Sequence, residues 1–271
     1  MDGTTAKSKA QRAANSEYLD KLARVGLLVY GVLHFVIGVI AFQLAWGGGG
    51  GQADQSGAMS TLADNGFGLA LLWVGAAGFA ALTFWCLSEA ILGSRKPDGS
   101  RDVGDTLKFL GKAGLFIVLG FLAVRFAVGA GGGGNEEEGA TATLLGLPGG
   151  RFIVGGLGVA IAVIGIYHVY KGVSRSFMDD LDGGASDGTT GTAIVTLGMI
   201  GYIAKGIAIA VVGVLFVAAS VQHDPDEAGG LDEALKTLQD QPFGPWLLTI
   251  IAVGLAAFGV YLVGRARYQR L

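Results

Sequence analysis

Six runs of apolar residues, nearly free of charge, constrain this chain more than any other feature. They fall at 22–46, 67–92, 107–129, 150–173, 193–221 and 244–263. A helix of about 20 apolar residues spans a hydrocarbon core of about 30 Å. The runs therefore predict an all-α integral membrane protein with six transmembrane helices. Composition agrees: 15% of the 271 residues are charged, against about 25% in an ordinary soluble domain. The first run follows a polar, basic leader at 1–21. At about 25 residues it is too long for a signal-peptide core, which places it in the membrane as the first span.

Positive charge assigns the two sides. The leader carries Lys7, Lys9, Arg12 and Lys21, with Arg24 just inside the first run. The second-to-third connection carries Arg95, Lys96, Arg101 and Lys108, the fourth-to-fifth Lys171 and Arg175, and the tail Arg265, Arg267 and Arg270. The other connections hold few basic residues, chiefly Arg151 and Lys236. They are acidic, with Glu136, Glu137, Glu138, Asp224, Asp226, Glu227, Asp232 and Glu233. Both termini are expected in the cytoplasm. The single cysteine, Cys86, allows no intrachain disulfide.

The chain also repeats itself, with offsets of 82 and then 175 to 176 residues. In the odd-numbered runs Gly38, Gly120 and Gly213 coincide. One heptad earlier stand Gly31, Ala113 and Gly206, and one heptad later Ala45, Ala127 and Ser220. The even-numbered runs give Ala76, Gly158 and Ala252, then Thr83, Gly165 and Gly259, then Ala90, Gly172 and Ala266. Seven residues make two helical turns, so each set forms a stripe of small residues along one helix. Such stripes let helix backbones approach closely in lipid, where the usual hydrophobic drive is missing. Many of the 48 glycines belong to them. Three two-helix modules result, at 22–94, 107–175 and 193–266, with a cytoplasmic linker at 176–192. Within a module the two stripes are expected to face each other. Every module enters and leaves on one side, so the copies are parallel. Three parallel pairs can close a bundle with pseudo-three-fold symmetry.

The connections repeat as well. Ala58, Ala140 and Ala234 align, as do Leu62, Leu144 and Leu238. In the third module Leu231, Leu235 and Leu238 keep helical spacing beside Asp232 and Glu233, which predicts a short amphipathic surface helix. A similar helix is expected near 57–63, and a weaker one in the second module.

Triplicated helix pairs carrying Ala204-Lys205-Gly206 and then Gly213, with the connection Gly-Ala-Met-Ser-Thr-Leu-Ala at 57–63, resemble an uncharacterised family of bacterial membrane proteins. That family is classed as a domain of unknown function and occurs mainly in high-GC Gram-positive bacteria. The resemblance runs from about Leu22 onward. It implies a six-helix plasma-membrane protein and brings no catalytic residues.

Several positions are candidates for ligand binding or for lining a path. Tyr30, Lys112 and Lys205 share one repeat position, just before the first small residue of the odd stripe. They would form a basic ring for an anion or anionic headgroup, or else anchor the helices at the interface by snorkelling. Glu89, Lys171 and Arg265 share a position at the ends of the even helices, where interface charge is the plainer account. Trp85, Tyr167 and Tyr261, four residues earlier, fit an aromatic belt. Arg125 lies in the outer half of the third run, where an arginine is costly unless it snorkels. His34 and His168 lie within runs and His223 in a connection. Membrane histidines can ligate haem or relay protons, but a hydrogen-bonded packing role is the commoner one.

No phosphate loop, metal-ligand spacing or nucleophile arrangement stands out, so no enzyme activity, cofactor or metal is expected. Three functions remain, in order. The first is a non-enzymatic scaffold, accessory or lipid-organising protein, whose partners are the bilayer and another membrane protein or a second copy, and not nucleic acid. The second is a channel or carrier for an anionic or small solute along a three-fold axis. The third is a haem or quinone redox protein.

Overall fold

The computed structural model describes residues 17–47, 51–93, 103–131, 136–181, 188–222, 224, 228 and 230–268. Lys7, Lys9, Arg12, Arg95, Lys96, Arg101, His223, Asp226, Glu227 and Arg270 lie outside them. The elements in order are α1 (Glu17–Ala45), α2 (Gln55–Ala63), α3 (Gly66–Ser88) ending in a π turn (Glu89–Gly93), α4 (Val103–Ala127), α5 (Glu136–Leu145), α6 (Gly150–Val173) with a 3₁₀ turn (Ser176–Asp180), α7 (Gly188–Gln222), α8 (Leu231–Gln239) and α9 (Gly244–Tyr268). Six of these helices, α1, α3, α4, α6, α7 and α9, are long and apolar enough to cross a membrane. Large apolar side chains such as Phe121, Ile166 and Ile250 are exposed along them, as surfaces bathed in acyl chains require. The chain is an all-α, multi-pass membrane protein.

Each copy has the same plan, a long helix, a short one and a second long one: α1–α2–α3, α4–α5–α6 and α7–α8–α9. The entry to each second long helix is built alike. A Cβ added at Gly68, Gly150 or Gly244 would run into the carbonyl oxygen of Leu62, Leu144 or Gln239. Only glycine lets the chain double back so closely on the short helix. In the first copy Asn65 caps the turn, accepting a hydrogen bond from the Gly68 amide at 2.8 Å. In the second and third copies the residue just before that glycine, Gly149 or Phe243, takes a positive φ of 78° or 64°.

Two compact units emerge, one of Met1–Tyr30, Leu62–Gly131 and Leu271, the other of Gly31–Thr61 and Gly132–Arg270. In the second unit the stripes meet. Gly165 lies against Gly206, and Gly158 against Gly213, so that added Cβ atoms would sit 2.7–2.8 Å from the facing carbonyl oxygens. These are α6 of the second copy and α7 of the third. In the same unit Gly31 lies on Gly259 and Gly38 on Ala252, joining α1 of the first copy to α9 of the third. In the first unit α3 packs on α4, with Phe79 an ordinary 3.5 Å from a Cβ at Gly120.

The stripes thus do not face each other inside a module, as expected. Each joins the second long helix of one copy to the first long helix of the next, the third copy passing to the first. The physical reason is a second set of small residues. Gly26 and Gly78 bring α1 and α3 into backbone contact, with Gly75 against Val29. Gly201 against Phe258 and Gly254 against Ala204 do the same for α7 and α9. The hairpins of the first and third copies close on this second face, which leaves their heptad stripes for a neighbouring copy.

The short helix α8 has the predicted amphipathic form, with Ala234 and Leu235 fully buried. It is stitched to the first copy within the second unit. Asp232 accepts a hydrogen bond from the Ala53 amide at 2.8 Å, and Gln239 donates to the Leu44 carbonyl at 2.8 Å. Alongside, the Trp46 ring meets Trp246 edge-on at 5.2 Å.

Candidate functional site

At 35 residues, α7 is about 52 Å long, well beyond a hydrocarbon core of about 30 Å. Its first half carries two glycines on one face. A Cβ at Gly198 would stand 2.6 Å from the Phe177 ring and 2.9 Å from that of Tyr261, and one at Gly201 would stand 2.6 Å from Phe258. The absent side chains make room for rings. Tyr202 stacks on Phe177 at 5.3 Å and meets Phe258 at 5.1 Å and Tyr261 at 5.7 Å, both edge to face. Pairs at such separations are each worth about 0.5–1.5 kcal/mol beyond burial.

Three cations surround this aromatic cluster, one from each of three helices. Arg265 of α9, 8% exposed, donates from Nη1 to the Tyr202 hydroxyl at 3.0 Å. Lys171 of α6, 7% exposed, places its Nζ 5.4 Å from the centre of the Tyr202 ring. Lys205 of α7, half-buried, holds its Nζ 4.4 Å over the Phe258 ring. Contacts of this kind contribute about 0.5–2 kcal/mol, more as water is excluded. Lys171 and Arg265 lie in the last turns of α6 and α9, where positive charge also suits the helix dipole. Lys205 sits deeper. A helical side chain leans toward its own N-terminus, and in α7 that direction leads to the level of Arg265, because α7 and α9 run antiparallel (Gly201 by Phe258, Gly254 by Ala204).

The repeat position shared by Tyr30, Lys112 and Lys205 has therefore three different fates. In the first unit Tyr30 is buried and meets Phe116 edge-on at 6.1 Å. In the same unit Lys112 lies 5.4 Å over Phe109 of its own helix. Lys205, in the second unit, turns inward onto a different helix. Arg125, in the first unit, stretches along α4, 5.8 Å over Phe121, and donates at 3.4 Å to the Ala130 carbonyl beyond the helix end. That is the snorkelling geometry an arginine in an apolar run is expected to adopt.

Both membrane histidines lie in the second unit among rings. His34, 1% exposed, meets Phe258 at 5.0 Å. His168 holds the Ile164 carbonyl through Nδ1 at 2.8 Å and lies 5.9 Å from Tyr202. Among the described residues no group of three or more His, Cys, Asp or Glu side chains is placed to hold a metal ion. The packing glycines Gly31, Gly38, Gly165, Gly206, Gly213 and Gly259 are all in close interhelical contact, Gly120 in a looser one.

Sequence reasoning missed the centre of this cluster. Tyr261 reads as part of an interfacial belt, yet it is 0% exposed and packs on Phe177 at 5.4 Å. Tyr202 and Phe258 went unremarked. The signal was present: Tyr202 precedes Lys205 by three residues, and Phe258 and Tyr261 precede Arg265 by seven and four, all on one helical face.

The comparisons with known proteins accord with this architecture. The sequence profile of DUF1206, a domain of unknown function, matches three times in tandem, at residues 25–93, 107–175 and 200–269. An uncharacterized protein, YxxB of Bacillus subtilis (strain 168), is 29% identical over 259 residues, covering 94% of this chain and 92% of its own. No solved structure matches. The three matches together span most of the sequence and coincide with three helix pairs joined by glycine seams, and the chain belongs to the DUF1206 family.

Proposed function

We propose that the protein is a non-enzymatic component of the bacterial plasma membrane, both termini cytoplasmic, that organises lipid or a neighbouring membrane protein around a closely packed helical body. The observation that carries this reading is the backbone contact at Gly165–Gly206 and Gly158–Gly213. Seams of this kind hold helices at fixed spacing. Around the Lys205 level the second unit is filled by side chains: Leu33, Ile37 and Tyr261 are at most 1% exposed. A body packed in this way suits holding more than passing. The basic residues near the chain's two ends favour the cytoplasmic side for the termini.

Reconstitution into liposomes tests the proposal. Vesicles containing the protein should show no more leak of chloride, phosphate or small carboxylates than empty vesicles, and the purified protein should retain bound lipid or a partner at fixed stoichiometry. Saturable solute flux that Lys205→Met abolishes would replace this reading with a carrier. A Soret band in the purified protein would replace it with a redox protein.

A further inference from the structure

We infer that Lys171, Lys205 and Arg265, steadied by the buried rings of Tyr202 and Phe258, together bind a phosphate-bearing anion, the headgroup of an anionic phospholipid. The inference rests on the lipid-organising reading above and names its ligand. The three cations come from α6, α7 and α9 and converge on two rings that touch each other. Arginine offers a planar fork that matches phosphate oxygens, and lysines add point charge. Two of the three stand in the last turns of membrane-length helices, the depth at which headgroups lie.

The repeat supplies the control. At the position of Lys205 the first copy has Tyr30, and at that of Lys171 and Arg265 it has Glu89. The fold is built in that copy without a cation at either place. The second copy does have Lys112, but it stays over Phe109 of its own helix. Packing of the repeat thus does not require three cations about one aromatic cluster; their convergence is a property of the second unit. Of the three, Lys205 is the most exposed, Lys171 and Arg265 being buried.

The full chain in an uncharged detergent, unfolded thermally with added lipid, provides the test. Phosphatidylglycerol should raise the midpoint by several degrees, and phosphatidylcholine should not. Lys205→Met and Lys171→Gln should each remove more than half of that shift, while Lys205→Arg should keep it. Arg267→Gln, which removes an exposed charge from the same last turn of α9, should also keep it. If Lys205→Met does not fold, Lys171→Gln alone decides. Equal shifts from both lipids, full shifts in both charge-removing variants, or an equal loss in Arg267→Gln would each overturn the site. Inorganic phosphate at matched ionic strength reproducing the shift would retain the phosphate chemistry with a soluble source. Lost lipid response without solute flux sinks only this site; flux with the lipid response intact sinks only the broader proposal.

Discussion

The seam between α6 and α7 and the seam between α3 and α4 occupy the same place in the repeat, yet they are built differently. The first has glycine at both levels on both helices, Gly158 and Gly165 facing Gly213 and Gly206. The second has Gly120 and Ala113 on α4 against a helix carrying Ala76 and Thr83, and Phe79 lies at ordinary contact distance from a Cβ at Gly120. One seam is backbone on backbone, the other partly side chain on backbone. In lipid, backbone approach is what fixes helix spacing, so the second unit should be the stiffer and the less forgiving of added atoms. The cationic cluster belongs to that unit. A ligand site needs its groups held in place, and rigid supports are where such groups are held best.

The contrast can be broken most directly within the glycine seam. Gly206→Leu would drive a side chain into the backbone nitrogen of Val169, 2.6 Å from the new Cβ. Overpacking typically costs 1–3 kcal/mol, and here no side chain can yield, so a loss of about 3 kcal/mol is expected. Unfolding midpoints in detergent, or steric trapping in bilayers, would measure it. A variant as stable as the parent would refute the glycine seam.

Next in size is the clamp of α8. Asp232, 8% exposed, holds the Ala53 amide and pairs with Lys236 at 2.8 Å. Asp232→Ala leaves a buried amide without its acceptor, which costs about 1–3 kcal/mol, and should raise hydrogen exchange in α8 first. The same pair carries a pH signature. The hydrogen bond that Lys236 donates to Asp232 raises the lysine's pKa above its usual 10.5, against a smaller opposing effect of burial. A raised folded-state pKa means that the stabilisation is present below 10.5 and is lost as pH climbs through the raised value. Protection of α8 should therefore fall only in strong alkali, and Lys236→Met should erase that fall.

A smaller effect is expected at the turns. Gly149→Ala places a side chain at φ 78° and should cost about 1 kcal/mol. At the equivalent turn Phe243→Gly relieves the same strain, so denaturation should show the two changes with opposite signs. Smallest of all is Gly120→Ala. Its Cβ meets nothing closer than 3.5 Å, and alanine favours a helix over glycine by up to about 1 kcal/mol. A stability equal to or slightly above the parent's sharpens the contrast with Gly206; a large loss would mean that the two seams are equally tight.

Much of this was legible in the amino-acid order. Six spans, the triplication, the small residues at heptad spacing and the surface helix at α8 could all be read, because each leaves a periodic trace in one dimension. The docking partner of each stripe left none. Short connections favour packing inside a hairpin, and the row at Gly31 and Gly38 carries no mark saying that it meets Gly259 and Ala252 of the third copy. The second row, Gly26 with Gly75 and Gly78, lacks heptad spacing and so escaped notice. The aromatic cluster was hidden for a related reason. A tyrosine near a helix end looks the same whether it faces headgroups, as the exposed Tyr167 does, or a neighbouring helix, as Tyr261 does.

The handing-on of each seam to the following copy bears on how the protein is made. Of the six spans α1 is made well before α9, yet Gly31 and Gly38 find their partner on α9. A nascent chain halted after its second copy would leave that groove open to lipid or to a passing strand of another polypeptide. The order of the copies along the gene, in contrast, should hardly matter. A permuted chain starting at the second copy, its old ends bridged by a polar tether of sufficient reach, retains every glycine contact described and should assemble as the parent does.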